Sequence, residues 1–407
     1  MQADRYYLTA KQAADGLGVT KATLYAYTSR GQLRSEPVPG QPRERRYYRD
    51  DVERLRERKD TRRDPAKAAA RGLHWGSPVL ESGITLIEKG RLYYRGQDAV
   101  TLAETAGLEQ AAELLWEAEG VERERLFSQR RALSASQLAR LRAATKDPLT
   151  LLQAALPIAG AVDLKAYDLR PAAVRQTGAR ILRLLTNIMA GRESDDPMHL
   201  ALQEGWAPKR PAAGSAIRTA LVLSADHELN VSAFASRCAA SAQATPYDVV
   251  SAAIATLKGS LHGGATERVS SLIAEVETPR RARTVVANRL RRGERMPGFG
   301  HPLYPAGDPR AVLLLRLAEA SGNTAEWRLV RSLTKAGGEL LHDQPNLDFA
   351  LVAVARTYGL PDRAPLLLFA LGRTVGWIAH AMEQYADSNL IRPRARYTGP
   401  APVFQIS

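Results

Sequence analysis

Cysteine occurs once in this 407-residue chain, as Cys238. A single thiol closes no internal disulfide, so the fold must rest on its apolar core, and a reducing cytoplasm is the expected compartment. Long apolar runs are missing too. No uninterrupted stretch approaches the roughly 18–20 residues needed to cross a bilayer, and the opening "MQADRYYLTAKQ" has no signal-peptide-like apolar segment. No membrane partner is expected. There is no HExxH and no paired Cys/His spacing, which argues against a metal centre. A GxSxG elbow, a Walker A loop and a Gly-rich dinucleotide fingerprint are likewise absent.

What is present is an ordinary globular mixture, 45% hydrophobic and 25% charged, long enough for two or three domains. The formal charge of +14 is unevenly spread. Residues 1–63 hold fifteen Lys/Arg against nine Asp/Glu, so +6 of the charge sits on a small fraction of the chain. That density points to an anionic partner for the N-terminus.

The first 60 residues read as one unit. "TAKQAADGLGV" offers a Thr9 cap, apolar Ala13, Ala14 and Leu17, and a Gly18-Val19 turn. "TKATLYAYTSRG" follows with a Thr20 cap, Leu24 and Tyr27 on one face, and Gly31 as the stop. A Pro-Gly turn in "QLRSEPVPGQPRERRYY" separates two expected strands, and "RDDVERLRERK" reads as a helix opened by Asp50. This is the order of a winged helix-turn-helix. A charged linker covers 61–71, and from Gly72 a glycine-punctuated, β-like stretch leads into Ala/Leu-rich segments with helical spacing. The main domain, 72–407, is expected to be mainly α.

Four segments carry polar residues that a plain helix bundle does not need. "SADHELNVSAFASR" sets Asp226, His227 and Glu228 at the end of an apolar helix. "LKGSLHGGATE" places His262 before two glycines, a residue type used where the backbone takes unusual angles or something approaches closely. "MPGFGHPLYPAGDPR" holds His301 in a Pro/Gly loop ahead of Arg310. "HDQPNLDFALVAVA" sets Asp348 just before a long apolar helix. Several histidines, an aspartate and loop arginines suggest acid–base work on an anionic substrate.

"ESGITLIEKGRLYYRGQDAVTLAE", "DHELNVSAFASR", "LKGSLHGGATE", "GFGHPLY" with "DPR", "PNLDFA" and "GRTVGWIAHAMEQ" followed by "IRPRARYTG" resemble citrate synthase motifs, in the family's order. The spacings match as well: His227 stands 35 residues before His262, Arg310 nine after His301, and Arg373 twenty-five after Asp348. The resemblance spans Gly72 to Gly399 and implies a helical fold with large and small subdomains, the small one roughly 265–365. It implies condensation of acetyl-CoA with oxaloacetate in a homodimer, with no metal or bound cofactor, since CoA arrives as substrate. In that scheme Asp348 is the base, His262 hydrogen-bonds the forming enol, and His301 polarises the ketone and protonates the alkoxide. His227, Arg310 and Arg373 hold the oxaloacetate carboxylates, and Arg392 comes from the partner subunit. Gly263 and Gly264 leave space for the acyl chain and pantetheine arm.

The chain departs from the family at three places. "HPLYP" stands where a basic "HRVYK" run is usual, Thr266 replaces a common Asn, and Ser224 replaces a common His. These bear on CoA affinity and acyl specificity, so 2-methylcitrate synthesis from propionyl-CoA is the alternative activity. The N-terminal "YLTAKQAADGLGVTKATLYAYTSRGQL" and "RRYYRDDVERL" resemble MerR/excisionase winged helix-turn-helix domains. That resemblance implies DNA contacts from Lys21, Thr23, Tyr25 and Arg30 on the second helix, and from Arg43, Arg45 and Arg46 on the wing. A DNA-binding regulator that senses metabolites through a synthase fold is therefore a competing function class.

Overall fold

Thr9 starts the first helix for a local reason. Its hydroxyl accepts the Gln12 backbone N–H, and the Gln12 side chain returns a bond to the Thr9 N–H, so two orphan donors are satisfied reciprocally. The helix α1 (Ala10–Leu17) ends at Gly18, whose φ of +60° suits a residue without Cβ. Thr20 caps α2 (Lys21–Ser29) in the same way. The computed structural model describes residues 7–38, 40–53, 55–56, 80–118, 126–127, 133–322, 324–387, 389–395 and 397–400, without the side chains of 42 and 43. The expected linker lies outside them.

Two compact units emerge, one gathering residues 1–83, 87–91 and 300–309, the other 84–86, 92–299 and 310–407. In the first, α1 and α2 pack with a three-stranded sheet ordered β1 (Tyr7–Thr9), β3 (Gln41–Tyr48), β2 (Ser35–Val38). Ala13, Ala14, Leu17, Leu24, Leu33, Tyr47 and Val52 form its core, with Tyr27 packed against it. The strand β1 was not expected, because three residues carry no readable period. It pairs Tyr7 with Tyr48, Leu8 with Tyr47 and Thr9 with Arg46. The next helix starts at residue 49, so Asp50 lies inside it rather than capping it. Asp51 takes the Arg34 backbone N–H and both ends of its guanidinium at 2.9 Å.

The second unit is mainly helical. A small sheet of β4 (Thr85–Glu88), β5 (Arg91–Tyr94) and β6 (Gln97–Asp98) precedes α3 (Ala99–Thr105), α4 (Leu108–Leu115), α5 (Ala135–Ala144), α6 (Pro148–Val162) and α7 (Pro171–Ala190). Then come α8 (Met198–Trp206), α9 (Ala213–Leu223), α10 (Val231–Ser241), α11 (Pro246–Leu257), α12 (Gly264–Val276) and α13 (Ala282–Arg291). The last four are α14 (Pro309–Ala320), α15 (Ala325–Leu341), α16 (Leu347–Tyr358) and α17 (Ala364–Ala386).

The helix α17 is the hub, packing on α7, α9, α10, α11 and α16. It is apolar on every side because neighbours cover every side. Its 23 residues would reach across a membrane by length and composition, but 89% of its apolar window is buried inside the protein. The helix α9, similarly buried, stops before Ser224, and α12 packs on α16. These junctions place the polar segments.

Candidate active site

His262 occupies the turn between α11 and α12. Its Nε2 lies 2.9 Å from the Ser232 hydroxyl at the start of α10, and its ring meets Phe369 edge-on at 5.7 Å. The Trp377 indole N–H, which can only donate, reaches the same hydroxyl at 3.1 Å. The hydroxyl proton of Ser232 then has two possible acceptors. Asn230 Oδ1, 2.8 Å away, already takes the backbone N–H groups of Ser232 and Ala233. The hydroxyl donates to Asn230 in the observed geometry; turned to Nε2 instead, it would leave the ring hydrogen of His262 on Nδ1. Burial, reinforced by the Arg373 charge, pushes the imidazole down to about 4, so at neutral pH it is an uncharged donor.

Of the two uses expected for the glycines after His262, Gly263 shows the close approach and not the unusual angle. Gly263 has ordinary helical angles (φ −63°, ψ −23°), and neither glycine of the pair has a positive φ. A Cβ on Gly263 would sit 2.3 Å from the Leu257 carbonyl oxygen, so that position is dictated by the chain's own packing. A Cβ on Gly264 would meet Arg268 Nη1 at 3.4 Å, a contact that the flexible end of that side chain can accommodate. Both border a cavity of about 810 Å³ that also takes in Lys258, Arg268, Arg289, Arg295 and Arg363. Glu275 and Glu294 engage Arg289, and Glu267 engages Arg363. Lys258, Arg268 and Arg295 have no carboxylate partner among the described residues; Lys258 instead donates to the Thr150 hydroxyl at 2.8 Å.

Arg373, fully buried in α17, donates through Nε to the Ser224 carbonyl at 2.8 Å. Its guanidinium lies 4.5 Å over the Phe369 ring whose edge His262 meets. Arg310 is buried in the first turn of α14, and both arginines act electrostatically on Tyr94. His227 is buried four residues after the end of α9. Asp348 lies inside α16 as its second residue, not ahead of it. Asn346 is the cap, its Oδ1 accepting the Asp348 N–H at 3.1 Å. A carboxylate in a first helical turn is favoured by the unpaired N–H groups there.

His301 belongs to the first unit. The Leu303 N–H donates to its Nδ1 at 3.2 Å, which leaves Nε2 as the protonated nitrogen of the neutral ring, and Tyr304 packs beside it. Arg392 is exposed in the extended segment after α17. Of the departures, Thr266 donates to the Gly263 carbonyl, while the buried Ser224 hydroxyl has no partner among the described residues. No group of acidic, histidine or cysteine side chains among the described residues could hold a metal ion.

The residues matched to DNA contact divide. Lys21, Tyr25 and Arg30 are exposed on and just after α2, and Thr23 is half-buried against Thr20. Arg45 turns back to the Ser35 hydroxyl and carbonyl at 2.8 Å. Arg46 bonds Glu36 across the sheet and stacks 3.9 Å over Tyr7, so it braces the wing. The Arg43 side chain lies outside the described residues. Sequence reading also missed Ser232, Trp377 and Phe369. Serine and aromatic residues at helical spacing look like packing until the fold sets them around His262.

Residues 72–394 match the family model "Citrate synthase, C-terminal domain", and residues 7–60 match "Helix-turn-helix domain". Citrate synthase 2 of Bacillus subtilis is 30% identical over 360 residues, covering 82% of this chain and 96% of the relative. The 2-methylcitrate synthase 2 of Corynebacterium glutamicum is 28% identical over 343 residues, covering 77% and 90%. The solved citrate synthase of Thermoplasma acidophilum, a ternary complex with carboxymethyl coenzyme A and oxaloacetate, superposes with a TM-score of 0.72 at 25% identity. It covers 83% of this chain and 98% of that one.

Proposed function

The chain belongs to the citrate synthase family, and from that premise we propose that this citrate synthase-type enzyme condenses acetyl-CoA with oxaloacetate and water to give citrate and CoA. Asp348 removes a proton from the thioester methyl, and His262 donates its Nδ1–H to the developing enolate oxygen. The nucleophilic carbon attacks the ketone of oxaloacetate, whose oxygen takes the Nε2 proton of His301. Water then adds its hydroxyl to the thioester carbon while its proton restores the His301 ring, and CoA leaves as the thiol with the proton that Asp348 took, which makes the sequence irreversible. His227, Arg310 and Arg373 hold the two carboxylates, the arginines by paired N–H donors. Arg392 reaches the site of the partner in a homodimer.

The observation that carries this reading is the placement of His262 in the α11–α12 turn, 2.9 Å from the Ser232 hydroxyl and edge-on to Phe369, where burial holds its imidazole well below the ordinary range. A charged imidazole would hand its proton over before condensation, whereas a neutral one stabilises the enolate by hydrogen bonding. The cavity beside Gly264 supplies cations for the phosphates of CoA, in place of the basic run that "HPLYP" lacks. Propionyl-CoA is the second acyl donor to consider, since relatives of both names align along the chain. Thiol release with oxaloacetate and each acyl-CoA in turn tests the reading. Acetyl-CoA should be the faster substrate and release should require oxaloacetate; a reversed preference would assign 2-methylcitrate synthesis.

The N-terminal unit has its own reading. Its exposed Lys21, Tyr25 and Arg30 on and after the second helix support binding in a DNA major groove. Gel-shift against genomic fragments at low salt tests this, and no retarded species would remove it. The single cysteine fits a cytoplasmic enzyme.

A further inference from the structure

The segment from Ser224 to His227 is clamped from three directions. Arg373 Nε holds the Ser224 carbonyl at 2.8 Å, and the Gly376 N–H holds the Ala225 carbonyl at 3.0 Å. The Tyr94 hydroxyl lies 3.0–3.4 Å from the carbonyls of Val222, Leu223 and Asp226, and receives the Asp226 N–H at 3.3 Å. Burial pushes that phenol up to about 12, so it remains a neutral donor.

The Asp226 side chain completes the clamp. It is fully buried, accepts the Thr85 hydroxyl at 2.6 Å, and lies 3.3 Å from His380 Nε2. That last contact is at ion-pair distance without hydrogen-bond geometry, and His380 is itself fully buried. Arg373, Gly376 and His380 stand three, then four residues apart, along one face of α17. Gly376 is required there, since a Cβ would lie 2.3 Å from Asp226 Oδ1. Burial opposes ionisation of Asp226, but His380, Arg373 and Thr85 together hold its carboxyl below the ordinary range. A buried charge with this many partners is costly to maintain, and nothing in the proposed chemistry touches it.

We propose that Asp226, seated on His380 and Thr85, is a positioning residue that fixes His227 relative to Arg373 and so sets the spacing at which a dicarboxylate is gripped. This rests on the reading that His227 and Arg373 bind oxaloacetate. The carboxylate anchors the residue immediately before His227 to the helix that carries Arg373. Moving Asp226 changes the distance between the two grips while leaving each side chain intact.

The test uses the full chain with Asp226→Asn, Thr85→Val, and Asp226→Asn combined with His380→Gln. Thr85→Val removes one hydrogen bond from a half-buried position and keeps the proposal testable where the Asp226 variant does not fold. Steady-state kinetics should show KM for oxaloacetate raised about tenfold or more in Asp226→Asn and severalfold in Thr85→Val. KM for the acyl-CoA should stay within twofold, and adding His380→Gln should cost little more. Amide exchange should quicken at residues 224–228 in both single variants. Folded variants with unchanged KM for oxaloacetate, or with both KM values raised alike, would overturn the proposal. A wild-type protein that binds no oxaloacetate would instead contradict the synthase reading. Exchange then decides the anchoring: unchanged protection at 224–228 overturns it, and selective loss there upholds it.

Discussion

His262 Nε2 and Ser232 Oγ lie 2.9 Å apart, and the serine is held from its far side by the Trp377 indole N–H. A serine in this place would put the histidine's ring hydrogen on Nδ1 whenever its own proton turns from Asn230 to Nε2. Ser232→Ala removes that control. Turnover should fall by about 10- to 100-fold, less than the full 10²–10⁴ of a lost acid–base group, with KM for oxaloacetate unchanged. Leaving the buried Trp377 indole unpaired should also cost about 1–3 kcal/mol of stability. Steady-state kinetics and thermal melts read the two effects separately, and an unaltered kcat would show that Ser232 does not control the histidine.

The same environment predicts a stability change with pH. His262 has a folded pKa near 4 against about 6.5 in the unfolded chain. Between those values the unfolded state holds the extra proton. The contribution is therefore complete above pH 6.5 and lost as pH falls through 4. It amounts to on the order of 3 kcal/mol. Urea midpoints for wild type and His262→Gln at pH 7.5, 6 and 5 should converge as pH falls, with wild type losing more. His199, also held low by burial, titrates equally in both proteins and cancels. Parallel declines would mean that His262 is not the group responsible.

How much of this was legible in the sequence differs by scale. The helix-turn-helix could be read because Thr9, Gly18 and Thr20 are local signals, each acting within four residues. His227, His262, Arg310, Asp348 and Arg373 enter the proposed site through resemblance alone. Their supports could not be picked out, because Ser232, Trp377 and Phe369 come from segments up to 145 residues apart and look like packing in a linear reading. What approaches Gly263 is not legible in the sequence for a related reason. Its clash partner is the Leu257 carbonyl, and only the folded turn brings that backbone within 2.3 Å. Arg46 looked like a free wing cation until β1 placed Tyr7 beneath it.

The cationic cavity should govern the CoA thioester alone. Arg268→Glu with Arg295→Glu should raise KM for acetyl-CoA by about 10- to 100-fold through lost charge-assisted contacts, with KM for oxaloacetate unchanged. Acetyl-pantetheine, which lacks the nucleotide phosphates, should be used equally by both proteins. If its KM rises in parallel, the cavity does not hold the phosphates.

In the N-terminal unit, exposed and bracing cations should separate. Lys21→Glu and Arg30→Glu should weaken DNA binding, each lowering the salt slope by about 1, without loss of stability. Arg46→Ala should lower the melting temperature of the unit by breaking its contacts with Glu36 and Tyr7. Salt-dependent gel-shifts and thermal melts distinguish the two classes. If Arg46→Ala weakened DNA binding without a stability change, the bracing role would be wrong.

The central claim is that Asp348, in the first turn of α16, is the base of a condensing enzyme. The most direct measurement is the initial rate of thiol release at saturating acetyl-CoA and oxaloacetate, for wild type and Asp348→Asn side by side. The wild type should release thiol only with oxaloacetate present, and the variant should be slower by about 10²–10⁴-fold while still binding oxaloacetate. Near-normal release by Asp348→Asn, or no release by the wild type with any acyl-CoA, would contradict it.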